Sequence, residues 1–326
     1  MLVATPLLHG LRRSFPNAKI AIGVGDWAKP LLENNPYIDE IIPCNAPWHN
    51  KQICRYPANS PKTFLEGLSY SLFSKEARYL KKKNFSHGID ILGSRQGSWL
   101  LRRTGIPNRF GVKGYAGGDN WCKKSVSFKE NRKVAEAALE FLNLLGSNEK
   151  IEPRPIIHLT KEELLDATES WRNVANKTPK IVIAPGGGFP EKCWGDEKYN
   201  HLVQLLLQDS SFSITVIGSK DDYSRVASYE TKQFQNLCGK LSLRQSAAMV
   251  SQSDFVICNS SLAMHLAGAF KVPSLTLLGN WYDSAKLHHK QWGYPEGIVY
   301  GNEISEGINF ACSSQEVFQI IKKLVL

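Results

Sequence analysis

Residues 180–194 read KIVIAPGGGFPEKCW, and this stretch decides the fold of the second half of the chain. The apolar run Lys180–Ala184 predicts a buried strand, and Pro185 with the three glycines after it predicts a tight turn. A helix is predicted next, from Asp196 to Gln208, with Asp196 as its N-cap. A strand, a glycine-rich turn and a helix in this order indicate a unit of a parallel α/β sheet.

The same alternation extends in both directions. Further strands are predicted at 213–218, 254–258 and 274–278, and they alternate with helices predicted at 223–233, 242–250, 262–270 and 315–324. The first half alternates in the same way and includes one long helix predicted over 64–82. The proline-punctuated stretch Glu152–Pro155 separates the halves. We therefore expect an α/β fold with two parallel-sheet domains in tandem, 1–155 and 156–326.

The composition is that of a packed protein, since 42% of the 326 residues are hydrophobic and 21% are charged. Disordered and collagen-like classes are excluded. No stretch approaches the ~18–20 apolar residues of a spanning helix, and the first residues lack the charge order of a secretion signal. The seven cysteines are scattered without C-x-x-C spacing. The sequence predicts a cytoplasmic protein with reduced thiols and no metal site.

The net positive charge comes entirely from the first half of the chain. Residues 1–150 hold 23 Lys and Arg against 12 Asp and Glu, whereas residues 151–326 hold 17 against 18. This asymmetry favours an anionic partner for the first domain, and a solvated basic face is the alternative. Signatures of nucleic-acid binding are absent, so no nucleic-acid partner is expected. The main contributors are Lys81, Lys82, Lys83, Arg95, Arg102, Arg103, Arg109, Lys113, Lys123 and Lys124.

The loops after the predicted strands of the second domain carry residues suited to phosphate and ribose. Gly186, Gly187 and Gly188 leave room for a phosphate to approach the backbone, and Lys192 follows them. A flexible turn with an exposed lysine is the alternative for this segment. Asp221 and Asp222 follow the next strand, at a place where carboxylates commonly accept hydrogen bonds from ribose hydroxyls.

The segment Asn259-Ser260-Ser261 opens the helix predicted at 262–270. Its hydroxyls and free N–H groups point to an anion at the positive end of the helix dipole. His265 lies four residues after Ser261, on the same helix face, and its imidazole could reach the same anion. A histidine satisfied within the core is the alternative. No G-x-G-x-x-G, Walker A, H-E-x-x-H or G-x-S-x-G motif is present, so phosphate capture is the strongest signal.

Several segments in co-linear order together resemble glycosyltransferase family 9, the ADP-heptose:lipopolysaccharide heptosyltransferases. They are Ala4–Leu8, Pro16–Pro36 with Asp26-Trp27-Ala28, Pro185–Trp194, Gly239-Lys240 with Ser242-Leu243-Arg244, and Asn259–Ala267. The resemblance implies a GT-B fold, with two Rossmann-like domains facing across a cleft. It also implies that the C-terminal domain holds the nucleotide sugar and the N-terminal domain the acceptor.

By position, the resemblance assigns donor-binding roles to nine residues. Gly187, Gly188 and Lys192 correspond to the diphosphate loop, and Asp221 or Asp222 to the ribose contact. Leu241 corresponds to part of the adenine wall. The donor-phosphate motif corresponds to Ser260, Ser261 and His265. Within that motif the family usually reads Asn-Asp-Ser-Gly-Pro-Met-His, so Ser260 replaces an aspartate and Leu262 a glycine.

The catalytic residue is not assigned by the sequence. Family members carry a hydrophobic strand and a Gly-Asp pair ahead of the segment that matches Met1–Pro6, and the resemblance implies that this aspartate is the base. Neither feature is present in the sequence. A sheet without this central strand would have two unpaired rows of backbone groups. We therefore expect the natural protein to begin ~10–20 residues upstream.

The resemblance implies inverting, metal-independent transfer without a cofactor. The expected reaction moves a sugar, above all heptose from ADP-heptose, to a lipopolysaccharide core or a related anionic glycolipid. Such an acceptor allows peripheral contact with the inner face of the cytoplasmic membrane. Two alternatives stay open. One is a degenerate GT-B protein that binds a nucleotide sugar or glycan without turnover, and the other is a GT-B-type nucleotide-sugar epimerase.

Overall fold

The computed structural model describes residues 1–48, 50, 52–57, 60–174, 179–209, 211–307 and 312–325. The chain divides into two compact units, Met1–Pro153 and Arg154–Leu326. Their junction lies two residues before the boundary expected from the sequence. Within these described ranges, no helix has both the length and the apolar character that crossing a membrane requires.

The first unit contains two small parallel sheets. Strands β1 (Ala21–Val24) and β2 (Glu40–Pro43) form one sheet, and the other has the order β3 (His87–Ile89), β4 (Asn108–Lys113), β5 (Lys124–Ser127). Among the described residues, β1 and β3 each pair with a strand on one side only. The helices of this unit are α1 (Thr5–Ser14), α2 (Pro61–Phe73), α3 (Lys75–Lys83), α4 (Arg95–Arg103) and α5 (Val134–Leu144).

The single helix predicted over 64–82 is wrong, because the segment forms two helices. Ser74 separates α2 from α3 with an extended backbone, at φ −66° and ψ 151°. Its hydroxyl accepts a hydrogen bond from the N–H of Ala77 at 2.9 Å and so caps α3. A serine that caps a helix start offers the backbone an alternative to continuing the preceding helix.

The second unit is one continuous parallel sheet of six strands. They are β6 (Lys180–Ala184), β7 (Ser213–Val216), β8 (Phe234–Asn236), β9 (Phe255–Cys258), β10 (Ser274–Leu277) and β11 (Gly297–Tyr300), in the order β11-β10-β9-β6-β7-β8. The helices are α6 (Lys161–Arg172), α7 (Asp196–Asp209), α8 (Leu243–Ser251), α9 (Leu262–Phe270), α10 (Ala285–Trp292) and α11 (Ser314–Val325). The four central strands are buried along their length, apart from the first residue of β6.

The helix predicted at 223–233 is wrong. The chain forms a short 3₁₀ turn at Lys220–Arg225 and then irregular backbone that leads into β8. Two asparagine side chains satisfy this backbone. Asn200 accepts from the N–H of Ala227 at 2.6 Å and donates to the carbonyl of Arg225, and Asn236 donates to the carbonyl of Tyr223 at 3.0 Å. These tertiary hydrogen bonds replace the i→i−4 bonds of a helix.

Candidate functional site

The strand order of the second unit fixes where a ligand can bind. From β6 the chain winds towards β7 and β8, and it then returns to the other side of β6 to form β9, β10 and β11. The loops after β6 and β9 are therefore neighbours at the carboxyl edge, where the winding direction reverses. In open α/β sheets the ligand crevice lies at this switch point.

Asn259 joins the two loops at the switch point. It is fully buried, and its side-chain N–H groups donate to the carbonyls of Pro185 at 2.6 Å and Gly186 at 3.3 Å. Its oxygen accepts from the N–H of Trp194 at 2.9 Å and from the hydroxyl of Tyr199 at 3.1 Å. The sequence analysis gave Asn259 no role of its own. The only feature of the sequence that marks Asn259 is its position as a polar residue directly after an apolar strand.

The glycines of the first loop are required by close packing as well as by any ligand. A Cβ at Gly186 would lie 2.5 Å from the carboxylate of Asp222, and a Cβ at Gly187 would lie 2.7 Å from Cys193 Sγ. Both distances are shorter than real Cβ contacts. Gly187 and Gly188 are exposed, so this part of the loop backbone is open to solvent.

Lys192 is held by aromatic rings. Its Nζ lies 5.4 Å from the ring centroid of Phe189, 5.3 Å from that of Trp281 and 5.7 Å from that of Tyr282. Cation–π contacts of this kind attract an ammonium group without neutralising its charge. No carboxylate of the described residues forms an ion pair with Lys192, so its charge remains available to an anionic ligand.

The segment with Lys192 is docked on the loop after β10. The N–H of Gly279 donates to the carbonyl of Lys192 at 3.2 Å, and the N–H of Trp281 donates to the carbonyl of Glu191 at 3.1 Å. A Cβ at Gly279 would lie 2.4 Å from the Glu191 carbonyl oxygen. The sequence analysis missed Trp281, because it lies far from Lys192 in the chain and no local pattern marks it.

The start of α9 lies beside the glycine loop. Ser261 is its N-cap, but its side chain makes no capping hydrogen bond, so it does not occupy the first N–H groups of the helix. Ser260 Oγ lies 2.8 Å from Nε2 of His288. Burial lowers the pKa of His288 to about 4, so the ring is neutral at neutral pH. A neutral ring that donates from Nε2 leaves the Ser260 hydroxyl proton free to point elsewhere.

His265 occupies the core arrangement that the sequence analysis gave as the alternative. Its Nδ1 lies 2.8 Å from the hydroxyl of Tyr294, and its ring packs against Trp292 and Tyr294. Burial lowers the pKa of His265 to about 3. The imidazole is therefore uncharged at neutral pH, and the structure favours a role in fixing α9 over a charge contact with phosphate.

The two predicted ribose carboxylates differ sharply. Asp222 accepts from the N–H and hydroxyl of Ser219 at 2.8 and 2.7 Å and from Nε of Arg225 at 2.9 Å. Asp221 is exposed, and within the part of the chain that the structure describes it has no hydrogen-bond partner. The structure therefore favours Asp221 over Asp222 as the carboxylate available to a ligand.

Leu241 lies after β8, on the side of the switch point where Asp221 also lies. The N–H of Gly239 donates to the carbonyl of Gly218 at 3.0 Å, which holds the loops after β7 and β8 together. Gly239 has φ +72°, and a Cβ there would lie 2.7 Å from the Cα of Lys220. Leu241 itself is half-buried. The described residues contain no cluster of His, Cys, Asp and Glu that could hold a metal ion.

The comparisons with known proteins give the same fold. The structure of E. coli ADP-heptose lps heptosyltransferase II superimposes with a TM-score of 0.73 at 18% identity, covering 99% of this chain and 94% of that one. The glycosyl transferase family 9 structure from Veillonella parvula DSM 2008 gives a TM-score of 0.74 at 21% identity, covering 99% and 92%. The fold class is α/β of the GT-B type, as predicted.

The sequence comparisons show the family. Residues 74–299 match the profile of glycosyltransferase family 9 (heptosyltransferase). The chain belongs to this family of glycosyltransferases, which confirms the resemblance. Lipopolysaccharide heptosyltransferase 2 of Escherichia coli (strain K12) is 22% identical over 294 residues, which cover 86% of this chain and 79% of that protein. Lipooligosaccharide heptosyltransferase 2 of Haemophilus influenzae (strain ATCC 51907 / DSM 11121 / KW20 / Rd) is 22% identical over 302 residues, covering 86% and 80%.

Proposed function

We propose that the protein is an inverting glycosyltransferase that moves heptose from ADP-heptose to a lipopolysaccharide core or a related glycolipid. The observation that carries this proposal is the cationic charge of Lys192, without an acidic partner among the described residues, on the loop at the switch point of a parallel sheet. Such a position suits the diphosphate of a nucleotide sugar. The family membership and the names of the relatives support the choice of donor and acceptor.

The diphosphate would lie between the loops after β6 and β9. Backbone N–H groups near Gly187 and Gly188, the hydroxyls of Ser260 and Ser261, and the N-terminal N–H groups of α9 can donate to its oxygens. Lys192 would neutralise part of its charge. In the transfer step the acceptor oxygen attacks the anomeric carbon and the bond from that carbon to the phosphate oxygen breaks. The nucleoside diphosphate leaves with the electron pair, and these donors stabilise the charge that develops on it.

We infer the orientation of the donor from the order of the strands. The loops after β7 and β8, with Asp221 and Leu241, lie on one side of the diphosphate, and the loop after β10, with Trp281, lies on the other. We assign the nucleoside to the β7–β8 side, because a free carboxylate there can accept ribose hydroxyls. The sugar would then extend towards the exposed rings of Phe189 and Trp281, which are 48% and 59% exposed.

The first unit would bind the acceptor. Its excess of positive charge suits an anionic glycolipid core. A base for the acceptor hydroxyl is not assigned to any residue of the chain. Asp26 is an exposed carboxylate at the end of β1, and it accepts a hydrogen bond from the side chain of Asn45 at 2.8 Å. An acceptor of this kind would be reached from the cytoplasm, at the surface of a membrane.

The alternative of a nucleotide-sugar-binding protein without turnover gains no support, since the relatives named above are heptosyltransferases. An assay with ADP-heptose and a truncated lipopolysaccharide acceptor separates the possibilities. Transfer to the acceptor supports the proposal, whereas donor binding without product supports the alternative. Release of an isomerised nucleotide sugar without acceptor would identify an epimerase.

Replacing Lys192 tests the site. Lys192→Ala should weaken ADP binding by about 10–100-fold, because hydrogen bonds to charged groups contribute about 1.5–3 kcal/mol. Isothermal titration calorimetry measures the loss. Lys232→Ala is the matched control, since Lys232 is an exposed lysine just ahead of β8, at the opposite edge of the same sheet. Equal ADP affinity in the wild type and Lys192→Ala would remove the diphosphate from this loop.

A further inference from the structure

Helix α2 buries small side chains and exposes large apolar ones. Its buried positions are Thr63, Gly67 and Ser71. Three of its large apolar side chains are exposed instead: Leu65 is 63% exposed, Leu72 39% and Phe73 71%. At 3.6 residues per turn Leu65 and Leu72 lie almost in line along the helix, with Phe73 beside them. An amphipathic helix ordinarily buries its apolar side chains.

The small buried residues fix α2 in this orientation. A Cβ at Gly67 would lie 2.6 Å from Cγ of Gln96 on α4, so the helices are in close contact there. Thr63 Oγ1 donates to the carbonyl of Pro57 at 2.8 Å, and Ser71 Oγ donates to the carbonyl of Gly67 at 2.8 Å. Larger side chains could not occupy this interface. The Ser71 bond lies within the helix, but rotating α2 to bury its leucines would break the contacts of Gly67 and Thr63, so these two contacts keep the apolar side chains exposed.

Exposed basic side chains lie on α2 itself and on α3, which follows it directly. Lys62 lies on the exposed side of α2, and α3 adds four exposed basic residues, Lys75, Arg78, Lys81 and Lys82. The Arg78 guanidinium donates to the carbonyl of Phe73 at 3.3 Å, which places it at the end of the apolar face. None of these five groups has an ion-pair partner among the residues that the structure describes.

The carboxylates of the two helices are engaged elsewhere. Glu66 lies 4.0 Å from Arg55, and Glu76 accepts hydrogen bonds from Asn45 and Tyr70. Lys83 is paired with Glu40 and takes no part in the surface. The α2–α3 surface, defined as Lys62, Leu65, Leu72, Phe73, Lys75, Arg78, Lys81 and Lys82, therefore combines apolar area with uncompensated positive charge.

We propose that the α2–α3 surface docks on the surface of an anionic lipid bilayer. Leucine and phenylalanine side chains at the level of the headgroups gain burial, and basic side chains on the same two helices attract anionic lipids. Both requirements are met on two consecutive helices of the unit that carries the excess positive charge. A protein partner would also cover the apolar residues, but the five cations, which form no ion pair with any described residue, favour a lipid surface. This proposal does not depend on the chemistry at Lys192.

Co-sedimentation with extruded vesicles tests the proposal on the full chain. We expect binding to phosphatidylcholine vesicles that contain about 30 mol% phosphatidylglycerol and at least tenfold weaker binding without it. Raising the salt from about 0.1 M to about 0.5 M should weaken the binding further, because screening shortens the reach of exposed charges.

Two sets of substitutions separate the apolar and charged contributions. Leu65→Ser, Leu72→Ser and Phe73→Ser in combination should lower vesicle binding by about 10–100-fold. Lys81→Glu with Lys82→Glu should lower it by about tenfold or more. The matched control is Leu165→Ser, since Leu165 is 68% exposed on a helix of the second unit. It should leave binding unchanged.

The outcomes are distinct. Unchanged vesicle binding in both sets, or no binding of the wild type to anionic vesicles, overturns the proposal, and the second result leaves a protein partner for this face. An unchanged thermal unfolding midpoint shows that the variants are folded. Their ADP affinity, measured by calorimetry, should equal that of the wild type. Failure of ADP binding in every variant and the wild type would count against the proposed function alone.

Discussion

The two units of the chain follow the same alternation of strands and helices and arrive at different structures. In the second unit six strands form one sheet, and a large cluster of buried side chains covers it. In the first unit five strands are divided between two sheets, and the buried side chains form smaller clusters. The candidate site of the second unit therefore stands on one continuous sheet with one large core. The first unit carries the excess of Lys and Arg over Asp and Glu.

The comparison extends to the titratable groups. The second unit holds two neutral histidines beside the candidate site, the buried His288 and the half-buried His265, and the first unit holds the half-buried Asp90 at the end of β3. Burial shifts the pKa of each group towards its neutral form. Because the neutral form of histidine lacks a proton and that of aspartate holds one, acid should weaken the contribution of the two histidines to stability and strengthen that of Asp90.

The largest effect expected is a loss of stability of the second unit in mild acid. The folded-state pKa values of His265 and His288, about 3 and about 4, lie below the unfolded value of 6.5. Between pH 6.5 and about 4 the unfolded chain binds more protons, so the free energy of unfolding falls as the pH falls. We expect a loss on the order of 3–5 kcal/mol between pH 7 and 4.5.

Hydrogen exchange resolved by peptide measures this loss in α9 and α10, after correction for the intrinsic exchange rates. His288→Asn should remove part of the pH dependence, because an asparagine does not titrate. Protection of α9 and α10 that stays constant from pH 7 to 4.5 would show that the two rings are not held neutral in the folded state.

Asn259→Ala should produce the next largest effect. The substitution leaves the N–H of Trp194, the hydroxyl of Tyr199 and the carbonyl of Pro185 without their partner. We expect a loss of about 2–4 kcal/mol in the free energy of unfolding and weaker ADP binding, because the loops after β6 and β9 are no longer joined. Urea denaturation and calorimetry measure the two effects.

Asn280→Ala is the control for Asn259→Ala, since Asn280 is an exposed asparagine on the neighbouring loop after β10. It should change neither quantity. Normal ADP affinity in Asn259→Ala would mean that the loop after β6 keeps its shape without the asparagine, and the site would then depend on Lys192 and its aromatic neighbours.

The sequence predicted some elements of the second unit well and missed others. The strand Lys180–Ala184 and the helix Leu262–Phe270 were predicted with the bounds that the structure shows, because an uninterrupted apolar run leaves little choice. The short strands β8 and β11 were missed. So was the division of the helix at Ser74, since a serine within an otherwise helical pattern is a weak signal.

The sequence predicted which loops form the candidate site. It did not predict the contacts between their side chains. The glycines and Lys192 follow a strand directly, so local sequence marks them. The contact of Lys192 with Trp281 and the hydrogen bond of Ser260 with His288 depend on strand order. Local pattern carries no information on such contacts. It could not show either that Asp222 would bond to Ser219 and Arg225 while Asp221 stayed exposed.

Asp90→Asn should stabilise the first unit. Burial raises the pKa of Asp90 to about 6, above the unfolded value of 3.8. The folded unit therefore binds more protons between pH 4 and 6, and its free energy of unfolding falls as the pH rises through that window. The N–H groups of Leu92 and Ser94 bond to different carboxylate oxygens of Asp90, so an asparagine oxygen can accept only one of them and part of the gain is lost. We expect a gain of about 1–2 kcal/mol at pH 7 and less at pH 5.

Hydrogen exchange in the peptides of β3 and β4 reports this gain. Asp166→Asn, at an exposed position on α6, is the control and should leave both units unchanged. If Asp90→Asn destabilised the first unit equally at pH 5 and pH 7, the carboxylate would be needed as an acceptor, and its burial would not be the dominant contribution.

The smallest effects expected come from Asp222 and Asp221, and they should be of different kinds. Asp222→Ala removes the cap of the turn at Ser219 and the ion pair with Arg225, so it should lower the free energy of unfolding of the second unit by about 1 kcal/mol. Asp221→Ala breaks no hydrogen bond of the described structure. It should leave stability unchanged and weaken ADP binding by about three- to tenfold, as expected for an exposed hydrogen bond that contributes about 0.5–1.5 kcal/mol.

Measuring the affinity of each variant for ADP and for inorganic diphosphate separates the two roles. Asp221→Ala should lose affinity for ADP only, because the carboxylate is assigned to the ribose and Lys192 still binds the phosphates. An equal loss for both ligands would place Asp221 near the phosphates, where a carboxylate would repel them. A loss of ADP affinity in Asp222→Ala without a loss of stability would reverse the assignment, since the capping carboxylate would then reach the ligand.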